Sequence, residues 1–181
     1  MQKYREAVAD IAARGADNLL HNEGNEHAVI IFENLFKNAR DCVRIAARDL
    51  CNDEVTNQMS YRNSLEDFLE RDNAKLKVFL RHYNSEYIES HEKNNLFDLI
   101  KKTRAYREGR VEIREMLPGN AFTIKGAEVH FATADSHAYR LENDVVARKA
   151  LCNFGDKEMT QRLEKGFDAF YTDEYSRVIA I

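Results

Sequence analysis

Apolar positions recur along this chain in two alternating rhythms. Tyr4, Ala7, Val8 and Ile11 repeat at helical spacing, which predicts a helix over Gln2 to Ala13 that stops near Gly15. His21 to Asn25 reads as a loop. A second helix is predicted from Glu26 to Asn38, because Ala28, Ile31, Phe32, Leu35, Phe36 and Ala39 make one wide apolar stripe. Cys42 to Ala47 is then a short β-leaning run. The pattern repeats: a helix around Ser64 to Glu70, a strand over Leu76 to Leu80, a helix over Glu92 to Tyr106, and a cleanly alternating strand over Val111 to Arg114.

Beyond the turn at Pro118-Gly119-Asn120, the rhythm stays at period two. Ala127 to Thr133 and Ala138 to Leu141 read as a hairpin around Asp135-Ser136-His137, with Lys149 to Phe154 as a further strand. Asp156 is a good N-cap for a last helix that places Met159, Leu163, Phe167 and Phe170 on one face. Alternation of strands and helices predicts an α/β fold, with a mainly parallel or mixed sheet flanked by helices on both faces. The expected division is an N-terminal helical extension over 1–24 and an α/β domain over 25–181.

Composition narrows the function classes. A length of 181 residues suits one domain with a substantial core. A net charge of -4 disfavours a globally basic nucleic-acid binder and leaves room for a local basic patch. The three cysteines Cys42, Cys51 and Cys152 form no CxxC pair, and the apolar surroundings of Cys42 and Cys152 predict buried free thiols in a reducing compartment. No stretch reaches the ~20 apolar residues of a membrane span, and the charged N-terminus lacks a signal peptide's apolar block. A cytoplasmic protein with no membrane contact is expected.

The stretch from Glu128 to Asn143 carries more information than any other. Glu128 and His130 share one strand face. Matching the apolar faces of the two hairpin strands puts Glu128, His130, Arg140 and Glu142 together, provided that the turn has an odd length or a bulge. The cluster reads either as a polar pocket or as a satisfied ion-pair network. Carboxylates and an imidazole suit divalent metals, but a single histidine in such a set is more often structural, and neither metal nor cofactor is expected. Arg81 and His82 end the second strand, where open α/β sheets often form a cleft, and add positive charge. Lys101-Lys102-Thr103-Arg104 with Tyr106-Arg107 is a basic stripe that reads as a solvated helix face or a nucleic-acid contact.

This segment resembles the signature region of the phospholipase D superfamily, whose motif is His-x-Lys-x4-Asp-x6-Gly-Ser. With Asp135 on the motif Asp, Glu128 falls on the His, His130 on the Lys, Glu142 on the Gly and Asn143 on the Ser. The order of helices and strands from residue 26 to 172 is also similar to that family's. The resemblance implies a phospholipase D-like half whose nucleophilic His and phosphate-binding Lys are replaced, so no catalytic residue is expected. It implies a binding or assembly module. Its ligand would be a nucleic-acid or nucleotide phosphate held by His130, Arg140, Arg81 and His82, or else a protein partner. It further implies a homodimer or partner interface on the motif-bearing face, and such reduced members fit a bacterial defence or mobile-element system. The alternative is an altered phosphodiesterase or nuclease that uses Glu128 and His130.

Overall fold

The computed structural model describes residues 1–90 and 95–181. Its helices are α1 (Gln2–Arg14), α2 (Gly24–Asn38), α3 (Asp53–Thr56), α4 (Met59–Leu69), α5 (Ser85–Ser90), α6 (Leu96–Lys102), α7 (Arg104–Arg107) and α8 (Lys157–Phe170). Its strands are β1 (Leu20–Glu23), β2 (Cys42–Ala47), β3 (Lys75–Leu80), β4 (Val111–Met116), β5 (Thr123–Ile124), β6 (Ala127–Glu128), β7 (His130–Ala134), β8 (Ala138–Asp144), β9 (Lys149–Asn153) and β10 (Ser176–Val178). One sheet runs β1-β9-β8-β7-β2-β3-β4-β10, and β5 and β6 form a separate small pair. β2, β3 and β4 are parallel, and every other pairing is antiparallel. The expected mixed α/β sheet is therefore present. Among the described residues no helix is long and apolar enough to cross a membrane.

Period-two alternation sorts the core into two layers. Val43, Ile45, Leu76, Val78 and Ala132 pack with α1, α2 and α4 on one face. Ala46, Phe79, Phe131 and Leu141 pack with α8 on the other, where Phe79, Phe131 and Phe167 meet edge-on. The α8 cap forms as the sequence predicts: Asp156 accepts a hydrogen bond from the Met159 amide at 2.9 Å.

Three expectations are corrected. His21 to Asn25 is no loop: Leu20–Glu23 is an edge strand paired with β9, and α2 begins at Gly24. Segment 1–24 therefore supplies a strand to the main sheet, and Val8 and Ala12 of α1 lie in its core. Its inward residue is Asn22, fully buried and polar, so no apolar alternation marks the strand. Ala127 to Thr133 divides at Val129, whose amide bonds to the Phe122 carbonyl, leaving Glu128 on β6 and His130 at the start of β7. The start of the helix predicted from Glu92 lies outside the described residues. Its remainder is broken at Thr103, which is extended (ψ 157°) and whose hydroxyl donates to the Ile100 carbonyl at 2.7 Å.

The end of α1 and the β9–α8 corner touch at backbone distance. A Cβ on Gly155 would lie 2.5 Å from the Gly15 carbonyl oxygen and 2.6 Å from the Asp17 amide nitrogen. Asn153 ties the same corner by donating to Asp17 at 2.8 Å. Gly155→Ala should therefore cost about 1–3 kcal/mol through overpacking, read as a lower urea midpoint at unchanged m-value.

Candidate functional site

The β7–β8 hairpin is closed by a three-residue turn, since Ala134 pairs with Ala138. Asp135 and Ser136 there have φ of 50° and 59°, and Asp is one of the few side chains that enters the left-handed region readily. The odd turn sets His130 opposite Glu142 and Ala132 opposite Arg140. This register puts His130, Arg140 and Glu142 on one face, the α2 side.

Asp135 does not join them. Its carboxylate accepts hydrogen bonds from the amides of Arg40, Asp41 and Cys42 at 2.6, 3.0 and 2.8 Å. It clamps the turn to the start of β2, five residues and roughly 16 Å of strand from His130.

At the other end of the hairpin, alternating charges form a chain. Arg81 donates to Glu128. Glu128 Oε1 lies 3.6 Å from His130 Nε2, which is an ion-pair distance and too long for a hydrogen bond. His130 Nδ1 lies 3.0 Å from Glu142 Oε2. Arg140 Nη2 donates to Glu142 Oε1 at 3.0 Å, and Arg140 Nε donates to Asn22 Oδ1 at 2.7 Å. The Arg140 guanidinium also lies 5.4 Å from the centre of the Phe32 ring. Burial pushes the Glu142 carboxyl upward, but the hydrogen bonds from His130 and Arg140 outweigh it and hold the group below the usual carboxylate range.

The remaining candidates lie apart from this chain of charges. His82 turns to Glu115 at 3.6 Å, and Glu115 is also held by the Tyr83 amide and Arg177. These residues edge a separate hollow of about 490 Å³ that also touches Arg81 and Pro118. Asn143 is exposed, where the β8–β9 register slips between Glu142 and Asp144. In the basic stripe, Lys101 and Lys102 are exposed, while Arg104 pairs with Asp72 and Glu108.

His130, Glu142 and Arg140 of this chain of charges border a cleft of about 390 Å³ at the C-terminal end of β2. The cleft lies between α2, residues 48–56 after β2, and the start of β7. Its floor includes Arg140, which is 4% exposed, and Tyr61 of α4, which is 1% exposed. Among the described residues Tyr61 Oη and His130 Nε2 are buried with no hydrogen-bond partner. Burial pushes the Tyr61 hydroxyl upward against a smaller opposing effect of Arg140, so it stays neutral. Burial likewise pushes the thiols of Cys51, at the rim, and Cys152 up to about 12, so neither is a thiolate nucleophile at neutral pH. The sequence pattern marks neither Tyr61 nor Asn22: Tyr61 lies before the helix predicted around Ser64 to Glu70, and Asn22 reads as a loop residue.

No family model matches this sequence, and no curated protein matches it. Solved structures do. TrmBL2, an archaeal chromatin protein whose structure shows a novel mode of DNA binding, superposes with a TM-score of 0.60 at 13% identity, over 98% of this chain and 62% of TrmBL2. NucT from Helicobacter pylori gives 0.56 at 11% identity, over 90% of this chain and 100% of NucT. Phosphatidylserine synthase from Haemophilus influenzae Rd KW20 gives 0.53 at 10%, over 90% of this chain and 39% of the synthase. The chain thus spans less than two thirds of TrmBL2 and of the synthase. NucT and the synthase have phospholipase D-superfamily folds, and this chain has a phospholipase D-like α/β fold.

Proposed function

We propose that this chain is a non-catalytic phospholipase D-like domain that serves as a binding or assembly module in a nucleic-acid setting. The observation that carries the reading is the closed run of charges Arg81–Glu128–His130–Glu142–Arg140. Phosphodiester cleavage by the family's motif needs a nucleophilic imidazole and a cation on the phosphate oxygens. Glu128 stands at the first position, and its carboxylate already accompanies His130 Nε2, where it would repel a phosphate oxygen. Glu142 engages both His130 Nδ1 and Arg140 Nη2, and Asn22 takes Arg140 Nε. The nucleic-acid setting draws on the DNA binding stated for TrmBL2.

A partner, or a second copy of the chain, would meet the motif-bearing face at its exposed mouth, around Arg81 and Glu128. Arg140 is interior and takes no part in such contact. Sedimentation at micromolar concentration should show a dimer, the commonest closed assembly; a monomer at every concentration would remove the self-association arm.

One observation favours a second reading, an altered phosphodiesterase. Glu128 and the unpartnered Nε2 of His130 form a carboxylate–imidazole pair at the cleft. Incubation with a chromogenic phosphodiester, DNA and RNA, with and without divalent metal, decides between the two. No turnover above background is expected; hydrolysis abolished by Glu128→Gln or His130→Ala would establish the second reading instead.

The charge run also predicts a pH signature. The folded pKa of Glu142 is depressed, so its contribution is fully present above the unfolded value, about 4.3, and is lost as pH falls through the folded value. Glu142→Gln should cost about 3 kcal/mol at neutral pH, because it leaves the Arg140 charge buried and uncompensated. The urea midpoints of the two proteins should converge as the pH is lowered below that window.

A further inference from the structure

The floor of the cleft holds polar atoms that the ion-pair chain does not use. Tyr61 packs edge-on against Phe32 and Phe36, with ring centres 5.3 and 5.2 Å away. A phenylalanine ring would fill the same space. The hydroxyl is therefore surplus to the packing, and a buried hydroxyl without a partner is destabilising. It lines the cleft together with His130, whose Nε2 is likewise unpartnered. Arg140 Nη1 has no hydrogen bond among the described residues either, while its other nitrogens bind Asn22 and Glu142. Three polar groups on one floor thus have capacity to spare: the hydroxyl donates or accepts, the guanidinium nitrogen donates, and Nε2 accepts while Nδ1 carries the proton given to Glu142.

Charge decides what class of molecule can use that capacity. The buried guanidinium of Arg140 excludes a cation from the floor. Glu142 beside it and Glu128 beside His130 repel an anion. A neutral group remains. The walls above the floor carry Ala28, Phe32 and Ile45, which suit an apolar, flat surface. A volume of about 390 Å³ is in the range of small-molecule pockets. A planar ring with apolar faces and an edge that both donates and accepts is the chemistry of a nucleobase.

We infer that the cleft takes an uncharged nucleobase, as a free nucleoside or as one base of a single strand, with its polar edge against Tyr61 Oη, His130 Nε2 and Arg140 Nη1. The inference rests on the reading of the domain as a binding module. Sugar and phosphate stay outside the cleft mouth, away from Glu128. Phosphate contributes little to the affinity, in contrast with the phosphodiester chemistry that the motif positions serve in the resembling family.

Calorimetric and NMR titrations of the full chain test this. The probes are adenosine, uridine, adenosine monophosphate, inorganic phosphate, and a short single-stranded oligodeoxynucleotide with its abasic counterpart. At least one base-bearing probe should bind, with shifts at Tyr61 and His130, and inorganic phosphate should neither bind there nor compete. Nucleoside binding identifies the free source. Binding by the oligonucleotide alone, lost in the abasic strand, identifies the strand source. Tyr61→Phe should weaken binding about tenfold, the worth of one buried hydrogen bond, while leaving the melting temperature of the free protein equal or higher. His130→Gln, which keeps a donor and an acceptor, should weaken binding less. Absence of binding by every base-bearing probe, competition by inorganic phosphate, or unchanged affinity in Tyr61→Phe overturns the inference and leaves the binding-module reading standing. Cleavage of the oligonucleotide overturns both.

Discussion

A guanidinium sits in the middle of the sheet's α2-side layer, and much of the surrounding structure answers to it. Arg140 is 4% exposed, and a charge so placed is tolerated only when paired and hydrogen-bonded. Its partners come from three directions: Glu142 on its own strand, Asn22 on the edge strand and the Phe32 ring on α2. To reach Asn22 the side chain must cross β9. The residues of β9 on that face are Ala150 and Cys152, small enough to let it pass. Arg140 thereby links the first strand of the chain to the hairpin that carries the motif positions.

That arrangement shapes the chemistry nearby. Glu142 is held ionised by Arg140 and engages His130 at Nδ1, which turns Nε2 toward the cleft and Glu128. A phosphate-binding centre needs net positive charge at this place. Here each cation has a carboxylate beside it: Arg81 has Glu128, and Arg140 has Glu142. The cations beside His130 are thus matched by carboxylates, next to a concave cleft with a hydrogen-bonding floor.

How much of this was legible in the sequence follows from which residues face inward. β2, β3 and β4 announce themselves because Val43, Ile45, Leu76, Val78 and Ile113 are apolar and regularly spaced. Glu128, His130, Arg140 and Glu142 were collected on one face from strand periodicity alone, and the odd turn at Asp135–His137 supplies the condition that collection required. β1 was hidden because the residue it buries is Asn22. The division at Val129 was hidden because Val129 and Phe131 both face the α8-side core, so alternation continues through a break in pairing. Tyr61 was hidden for a different reason: it lies before the predicted Ser64 to Glu70 helix, and nothing in its local pattern tells that it lines a cleft together with His130 and Arg140.

The polar floor also bears on what kind of module this is. Replacing a buried ion pair by well-packed apolar groups is often neutral or stabilising, and an orphaned hydroxyl is a further cost. A purely structural role for this face would be served as well by leucine and phenylalanine at Arg140, Glu142 and Tyr61, next to the alanines already lining β7, β8 and β9. The fold instead carries a buried cation, its counter-ion and an unpartnered hydroxyl around an open cleft of about 390 Å³. Such costs are intelligible where a ligand recovers them on binding, since each unsatisfied group then becomes a source of discrimination: a molecule that fails to match it loses the full price of desolvation. Packing alone would have left this cleft filled and greasy. Its being open and polar on the floor is the physical reason to look for a small neutral ligand there.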